Sequence, residues 1–274
     1  MILQKLKNQE QGQEDPGPPR ISYSELKNWK ECPYRHKLIY IDKLPYYSGN
    51  EYTAFGTAIH STCEEVVLDE SLNALDIFTS SFYKELDILK GSGYNPNEKL
   101  VLEMIQQAAP ICKKIVPSLK DYFKDYKVFS VEEQILEDIV EVKSYGKKFK
   151  GFIDIVLKTK DDKYHIIDWK SCSWGWPSQK KTDSFTNYQL TYYKNYFAKK
   201  HKIDPKRIET YFALLKRTAK KENVEFIRVS SGPKKTTNAL KVLENAVINI
   251  NNKTSIKNRL NCKYCKFYQT ENCK

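Results

Sequence analysis

Two apolar segments joined by a short polar turn constrain this chain more than any other stretch of it. Gly151-Phe-Ile-Asp154-Ile-Val-Leu157 and Tyr164-His-Ile-Ile-Asp168-Trp-Lys170 flank the polar run Lys160-Asp-Asp-Lys163. β-branched and aromatic residues at these positions predict two strands of a hairpin. Asp154 and Asp168 then become ionisable groups inside otherwise buried strands. A buried carboxylate is costly unless a cation or metal ion balances it. Lys170 lies two residues beyond Asp168, so its side chain leaves the strand on the same face. Two carboxylates and an ammonium at one place suit a hard, oxygen-preferring ion such as Mg²⁺ or Mn²⁺. Such an ion acidifies water and neutralises charge on a phosphodiester, and the lysine steadies the water or the developing anion. The plain alternative is a pair of structural salt bridges.

The rest of the chain predicts an α/β core with a mixed sheet. Residues 1–19 are polar and rich in helix breakers, the composition of a disordered or loosely docked tail. Ser22-x-x-Glu25 is a capping box that opens a short helix through Leu26, Trp29 and Cys32, ended by Pro33. Helical periodicity follows at 55–68, 72–90 and 97–126, with breaks expected at Pro110 and Pro117. These helices are expected to cover an edge of the sheet. Strand patterns fall at 128–141, 148–158, 163–170, 207–216 and 222–229, and helical ones at 184–200 and 235–250. Strands in the middle with helices around them give the α/β class. The expected organisation is one domain over 20–274, with a helical insertion at about 70–127 and a ligand-binding carboxy-terminal segment at about 255–274.

Charge points to the partner. Lys and Arg total 46 against 34 Asp and Glu, a formal net charge of +12. A surplus of this size favours a polyanion, most simply nucleic acid, because phosphate contacts release condensed counterions. No apolar run has the length of a signal peptide or a membrane span, so the sequence predicts a soluble, intracellular protein. Seven cysteines are an odd number for a disulfide framework, so ligation or simple burial is expected of them.

Further side chains join the aspartates as candidates. His60 lies one helical turn after Gly56, a spacing that lets the helix approach a strand closely while the imidazole reaches an ion. Glu64, at i+4 from His60, is a supporting candidate. Gln189 and Tyr193 share one face of the helix at 184–200 and are placed to orient phosphate or water; packing against the sheet is the alternative. Cys262-Lys-Tyr-Cys265 followed by Cys273 has metal-ligand spacing, and Cys32 on the first helix is the best fourth ligand. The spacing is compatible with tetrahedral zinc or a [4Fe-4S] cluster, and taken alone it favours zinc. Cys63, Cys112 and Cys172 read as small buried residues.

Taken in order, these motifs resemble the PD-(D/E)XK nucleases of RecB/AddB type, and within them the iron–sulfur branch that includes exonuclease V and the small CRISPR-adaptation nucleases. The resemblance runs over 21–274 through Cys32-Pro33, Gly56-Thr-Ala-Ile-His60, Gly151-Phe-Ile-Asp154, Asp168-Trp-Lys170, Gln189-Leu-x-x-Tyr193 and Cys262-x-x-Cys265 with Cys273. It implies a restriction-endonuclease-like mixed sheet flanked by helices. It implies Mg²⁺ or Mn²⁺ on His60, Asp154, Asp168 and the carbonyl of Trp169. Lys170 would be the catalytic lysine, and Gln189 with Tyr193 the accessory motif. It also shifts the cysteine reading from zinc to a structural [4Fe-4S] cluster that joins the ends of the domain. Asp168 stands where many relatives carry Glu, and seven residues separate Cys265 from Cys273, a longer gap than is usual.

The resulting expectation is a metal-dependent DNA exonuclease acting on single-stranded or end-containing DNA in repair, recombination or phage-type processing. The chain carries no phosphate-loop motif, so unwinding would fall to a partner such as a helicase. Two rivals share the fold, a catalytically silent DNA-binding scaffold and a nuclease acting on RNA. An intact set of His60, Asp154, Asp168 and Lys170 weighs against the scaffold.

Overall fold

The computed structural model of the protein describes residues 19–46 and 49–274, and the expected amino-terminal tail lies, but for Pro19, outside them. The described chain divides into two compact units. The larger comprises Tyr46–Ile135 and Phe152–Ala239, and the smaller is drawn from the chain up to Pro45, Leu136–Gly151 and Leu240–Lys274.

In the smaller unit, β1 (Arg20–Ser22) pairs in parallel with the first residues of β3 (Lys148–Thr159), Ser22 opposite Lys150. Ser22 then caps α1 (Tyr23–Glu31), its hydroxyl accepting the Glu25 N–H at 3.2 Å. The helix stops at Cys32, whose extended backbone (φ −163°, ψ 106°) is what Pro33 demands of the residue before it. Cys32 in turn caps the short α2 (Pro33–His36), with Pro33 at its first position. Buried His36 is held by Glu25 at 2.9 Å and stacks on Tyr40.

The larger unit holds the mixed sheet. β3 runs antiparallel to β4 (Tyr164–Cys172), with Ile155 opposite Ile167, so the predicted hairpin is present. β4 runs parallel to β5 (Ile208–Lys216), with Asp168 opposite Phe212. A parallel neighbour needs a long crossover, and α8 (Ser184–His201) provides it, following the short α7 (Ser178–Thr182). β6 (Val224–Arg228) closes antiparallel on β5, and β2 (Tyr126–Asp138) pairs with β3.

Successive strand residues point to opposite faces, and here the two faces are covered differently. Odd-numbered residues, among them Ile155, Leu157, Ile167, Trp169 and Ala213, join one apolar cluster with α3 (Glu51–Leu68), α4 (Ala74–Gly91), α5 (Glu98–Cys112) and α6 (Ile115–Phe123). The helices therefore cover a face of the sheet, not the edge expected from sequence. The reason is amount of apolar surface: these helices bring Phe55, Phe78 and Phe82, whose rings pack 5.0 to 6.0 Å apart, and an edge could not bury them. Even-numbered residues such as Val156, Ile166 and Phe212 are buried on the other face, where α8 lies against β4 and β5.

Proline reads differently from expectation as well. α5 continues through Pro110 to Cys112, and Pro117 sits within the first turn of α6, where its missing N–H costs no helical bond. The break between the helices falls between the two prolines, at Lys113 and Lys114. Among the described residues no helix is long and apolar enough to cross a membrane.

Candidate active site

The hairpin register carries Asp154 and Asp168, the next residue of each strand beyond Ile155 and Ile167, to neighbouring positions. Asp154 Oδ2 accepts the Trp169 N–H at 2.7 Å, which ties the first carboxylate to the second strand. On Asp168, Oδ1 accepts from Gln189 Nε2 at 2.8 Å and Oδ2 faces Lys170 Nζ at 2.5 Å. The Gln189 amide also donates to the Tyr193 hydroxyl at 3.2 Å, so the i, i+4 pair acts as one bracket on α8. Lys170 Nζ stands 5.8 Å over the Phe212 ring, supported by the neighbouring strand.

His60 enters from α3, with Nδ1 3.6 Å from Asp154 Oδ2. Gly56 lies where the helix passes β4. A Cβ built there would meet the Ser171 hydroxyl of β4 at 3.4 Å, and a larger side chain would hold the helix away. Glu64 is half-buried on the same helix.

Burial dominates the electrostatics. It pushes Asp154 up to about 6 against the pull of Lys170 and the Trp169 N–H, and it pushes Asp168 up to about 6 against Lys170. Burial and the Lys170 charge bring His60 down to about 4, which leaves a neutral imidazole at pH 7. The result is two desolvated carboxylates and a neutral ring nitrogen, a donor set that fits a hard divalent cation. No three His, Cys, Asp or Glu side chains among the described residues converge as they stand on a point that could hold a metal.

One further group was missed from sequence. Glu132 stands within β2 with a left-handed backbone, φ 50°, and its charge pulls upward on both His60 and Asp154, against burial at His60 and with it at Asp154. Such a backbone is uncommon in a non-glycine residue and marks a local distortion of the strand. The signal was the adjacent pair Glu132-Glu133, since neighbours on a strand face opposite ways. Glu133 is accounted for by Lys200 and by His201 at 2.9 Å, both on α8.

The cysteine candidates lie in the smaller unit. Cys32, Cys262, Cys265 and Cys273 all line one small cavity, about 20 Å³, and all are free thiols. Cys32 Sγ accepts from the backbone N–H groups of Arg35 and Asn258, each at 3.4 Å. Asn258 and Asn261 both donate to the Glu31 carbonyl, at 2.9 and 2.8 Å, and the Tyr34 hydroxyl donates to the Asn272 carbonyl at 3.0 Å. The carboxy-terminal segment is thus laced to the α1–α2 elbow by hydrogen bonds. Four thiols around one cavity are the donor chemistry of a tetrahedral zinc or a four-cysteine cluster. Cys63 and Cys112 are buried, as expected, and burial pushes the Cys112 thiol up to about 12, whereas Cys172 is only half-buried.

The family profile described as the PD-(D/E)XK nuclease superfamily matches residues 20–270. Among solved structures, a candidate exonuclease from Eubacterium rectale is similar at 11% identity and TM-score 0.55, covering 90% of this chain and 86% of that one. The protein SSO0001 aligns at 14% identity and TM-score 0.41, covering 97% of this chain and 94% of that one. A search of curated proteins finds no match.

Proposed function

Because the chain belongs to the PD-(D/E)XK nuclease superfamily, we propose that it is a metal-dependent DNA exonuclease that hydrolyses phosphodiester bonds of single-stranded or end-containing DNA. The observation that carries this reading is the convergence of Asp154, Asp168, Lys170 and Gln189 at the β3–β4 hairpin. His60, Asp154, Asp168 and the Trp169 carbonyl would hold Mg²⁺ or Mn²⁺. When bound, such an ion supplies Lewis acidity that acidifies a water and neutralises phosphate charge. Lys170 places its ammonium beside the reacting phosphate, where it orients the attacking water and stabilises the added negative charge. Gln189 holds Asp168 in one orientation, and the Tyr193 hydroxyl fixes Gln189. The +12 surplus holds the strand electrostatically.

The test is digestion of end-labelled linear and closed circular single-stranded DNA with Mg²⁺ or Mn²⁺, comparing wild type with Lys170→Ala. Loss of the linear strand with wild type only, and survival of the circle, is expected. Binding without cleavage by either protein would leave a scaffold in place of an enzyme, and preferential loss of a matched RNA would replace DNA as substrate.

The same reading gives Cys32, Cys262, Cys265 and Cys273 a [4Fe-4S] cluster, supported by the cavity that all four line. Protein purified without oxygen is expected to contain iron and acid-labile sulfide, and Cys262→Ser to lose both. Stoichiometric zinc with no iron would instead assign a zinc site.

A further inference from the structure

The strand that carries Lys170 ends in a loop, Ser173-Trp174-Gly175-Trp176, whose two tryptophans are treated in opposite ways. Trp176 is buried, 5.0 Å from the Phe212 ring and capped by Lys180 at 4.3 Å. Trp174 is 77% exposed. The loop that presents it is anchored where it leaves β4. The Arg217 N–H donates to the Cys172 carbonyl at 2.9 Å, and Thr218 donates to the Ser173 carbonyl through its N–H at 2.8 Å and its hydroxyl at 3.0 Å. Gly175 follows at φ 135°, a conformation that side chains rarely adopt, and it turns the chain so that one indole packs inward and the other stands out.

Trp174 has companions. The Arg217 guanidinium donates to the Ser173 hydroxyl at 3.2 Å and to Gln107 Oε1 at 2.9 Å, which fixes its plane. It lies 5.1 Å over the ring of Tyr52, which is 52% exposed at the start of α3. Tyr52 is one helical turn before Gly56, where α3 meets Ser171 of β4. An indole, a phenol ring and a held guanidinium therefore gather at the end of β4. Trp174 lies four positions beyond Lys170, so their Cα atoms are at most about 14 Å apart.

Flat side chains of this kind, on a fixed loop beside a phosphodiester site, have the chemistry that stacks on unpaired bases. Paired bases in a duplex keep their faces covered by their neighbours. We propose that Trp174, flanked by Tyr52 and Arg217, is a base-stacking platform that grips unpaired nucleotides of the substrate strand and gives the site its preference for single strands over duplex. The platform deepens the nuclease reading and rests on it for the identity of the ligand, but its test involves no cleavage.

The protein for the test is the full chain carrying Lys170→Ala, with Mg²⁺, so that the ligand survives. The ligands are an oligothymidylate, a blunt duplex of the same length, and a deoxyribose-phosphate oligomer without bases. Binding is read by polarisation of a labelled strand and by intrinsic tryptophan fluorescence. Trp169 and Trp176 are buried and Trp29 is partly buried, so quenching on binding reports mainly on Trp174. The expected results are quenching by the oligothymidylate, about 5- to 150-fold weaker binding after Trp174→Ala, a smaller loss after Trp174→Phe, and no effect of either change on the baseless oligomer. Unchanged oligothymidylate affinity in Trp174→Ala, an equal loss on the baseless oligomer, or quenching as strong with duplex would overturn the platform. Stacking without cleavage by wild type would sink the nuclease reading and leave the platform standing; cleavage without stacking would do the reverse.

Discussion

Gln189 donates from one amide nitrogen to both Asp168 and Tyr193, and Asp168 is a carboxylate with only 3% of its side chain exposed. Replacing Gln189 with Ala strips Oδ1 of its donor inside the protein, a loss of about 1–3 kcal/mol. The midpoint of chemical denaturation should fall accordingly, and nuclease activity with it, because Asp168 is no longer held. Asp154→Asn behaves in the opposite sense. The amide oxygen can still accept the Trp169 N–H, and a charge that burial disfavours is gone. Its unfolding midpoint at pH 7 should match or exceed that of wild type while hydrolysis is lost; a clear drop in stability would show that the carboxylate is there for structure. Asp154, Asp168 and Lys170 were legible because charged residues in an apolar strand pattern stand out. Glu132 was not, since a charged pair on a half-exposed strand is ordinary until its left-handed backbone is seen.

Secondary structure follows local chemistry closely here. Ser22 caps α1 as predicted, though the Glu25 carboxylate pairs with His36, and the strand and helix boundaries lie within a few residues of those read from periodicity. What periodicity could not tell was where the helices go. α3 passes β4 closely at Gly56, and the position yields a graded prediction. Gly56→Ala adds a methyl that meets Ser171 Oγ at 3.4 Å, ordinary contact, and gains up to about 1 kcal/mol of helix propensity. Gly56→Leu adds three further carbons on the side of Ser171 and should move the helix, and with it His60. Thermal unfolding and nuclease rate together check this: the alanine variant keeps both, and the leucine variant loses rate by an order of magnitude or more. A leucine variant with wild-type rate would mean that His60 does not need this close approach.

Over the whole molecule, acid stability depends on carboxylates outside the candidate site. Burial works against charge on Glu51, Glu133 and Glu225, but hydrogen bonds outweigh it: the Asn97 N–H and Tyr94 hydroxyl for Glu51, Lys200 and His201 for Glu133, and Lys181 and Lys216 for Glu225. All three are held below their ordinary values. The unfolded chain, near 4.3 for Glu, therefore takes up protons first as pH falls. Their stabilisation is present above that value and is lost on descent through the lower folded ones. The melting temperature should drop below about pH 4.5 as these three are protonated, and Glu51→Gln should shallow that drop. Composition acts at this scale too, since strand binding should weaken linearly with log salt, by about 0.7 per phosphate contacted. The sequence by itself determined the elements, the aspartate and lysine pattern and the basic surplus, because these depend on residue type and on spacing within one element. Only the tertiary structure decided that helices cover a face of the sheet, that Gln189 reaches Asp168 from another element, and that Trp174 stands exposed while Trp176 is buried. Those outcomes depend on which surfaces meet across distant stretches of chain, and local propensity carries no information about that.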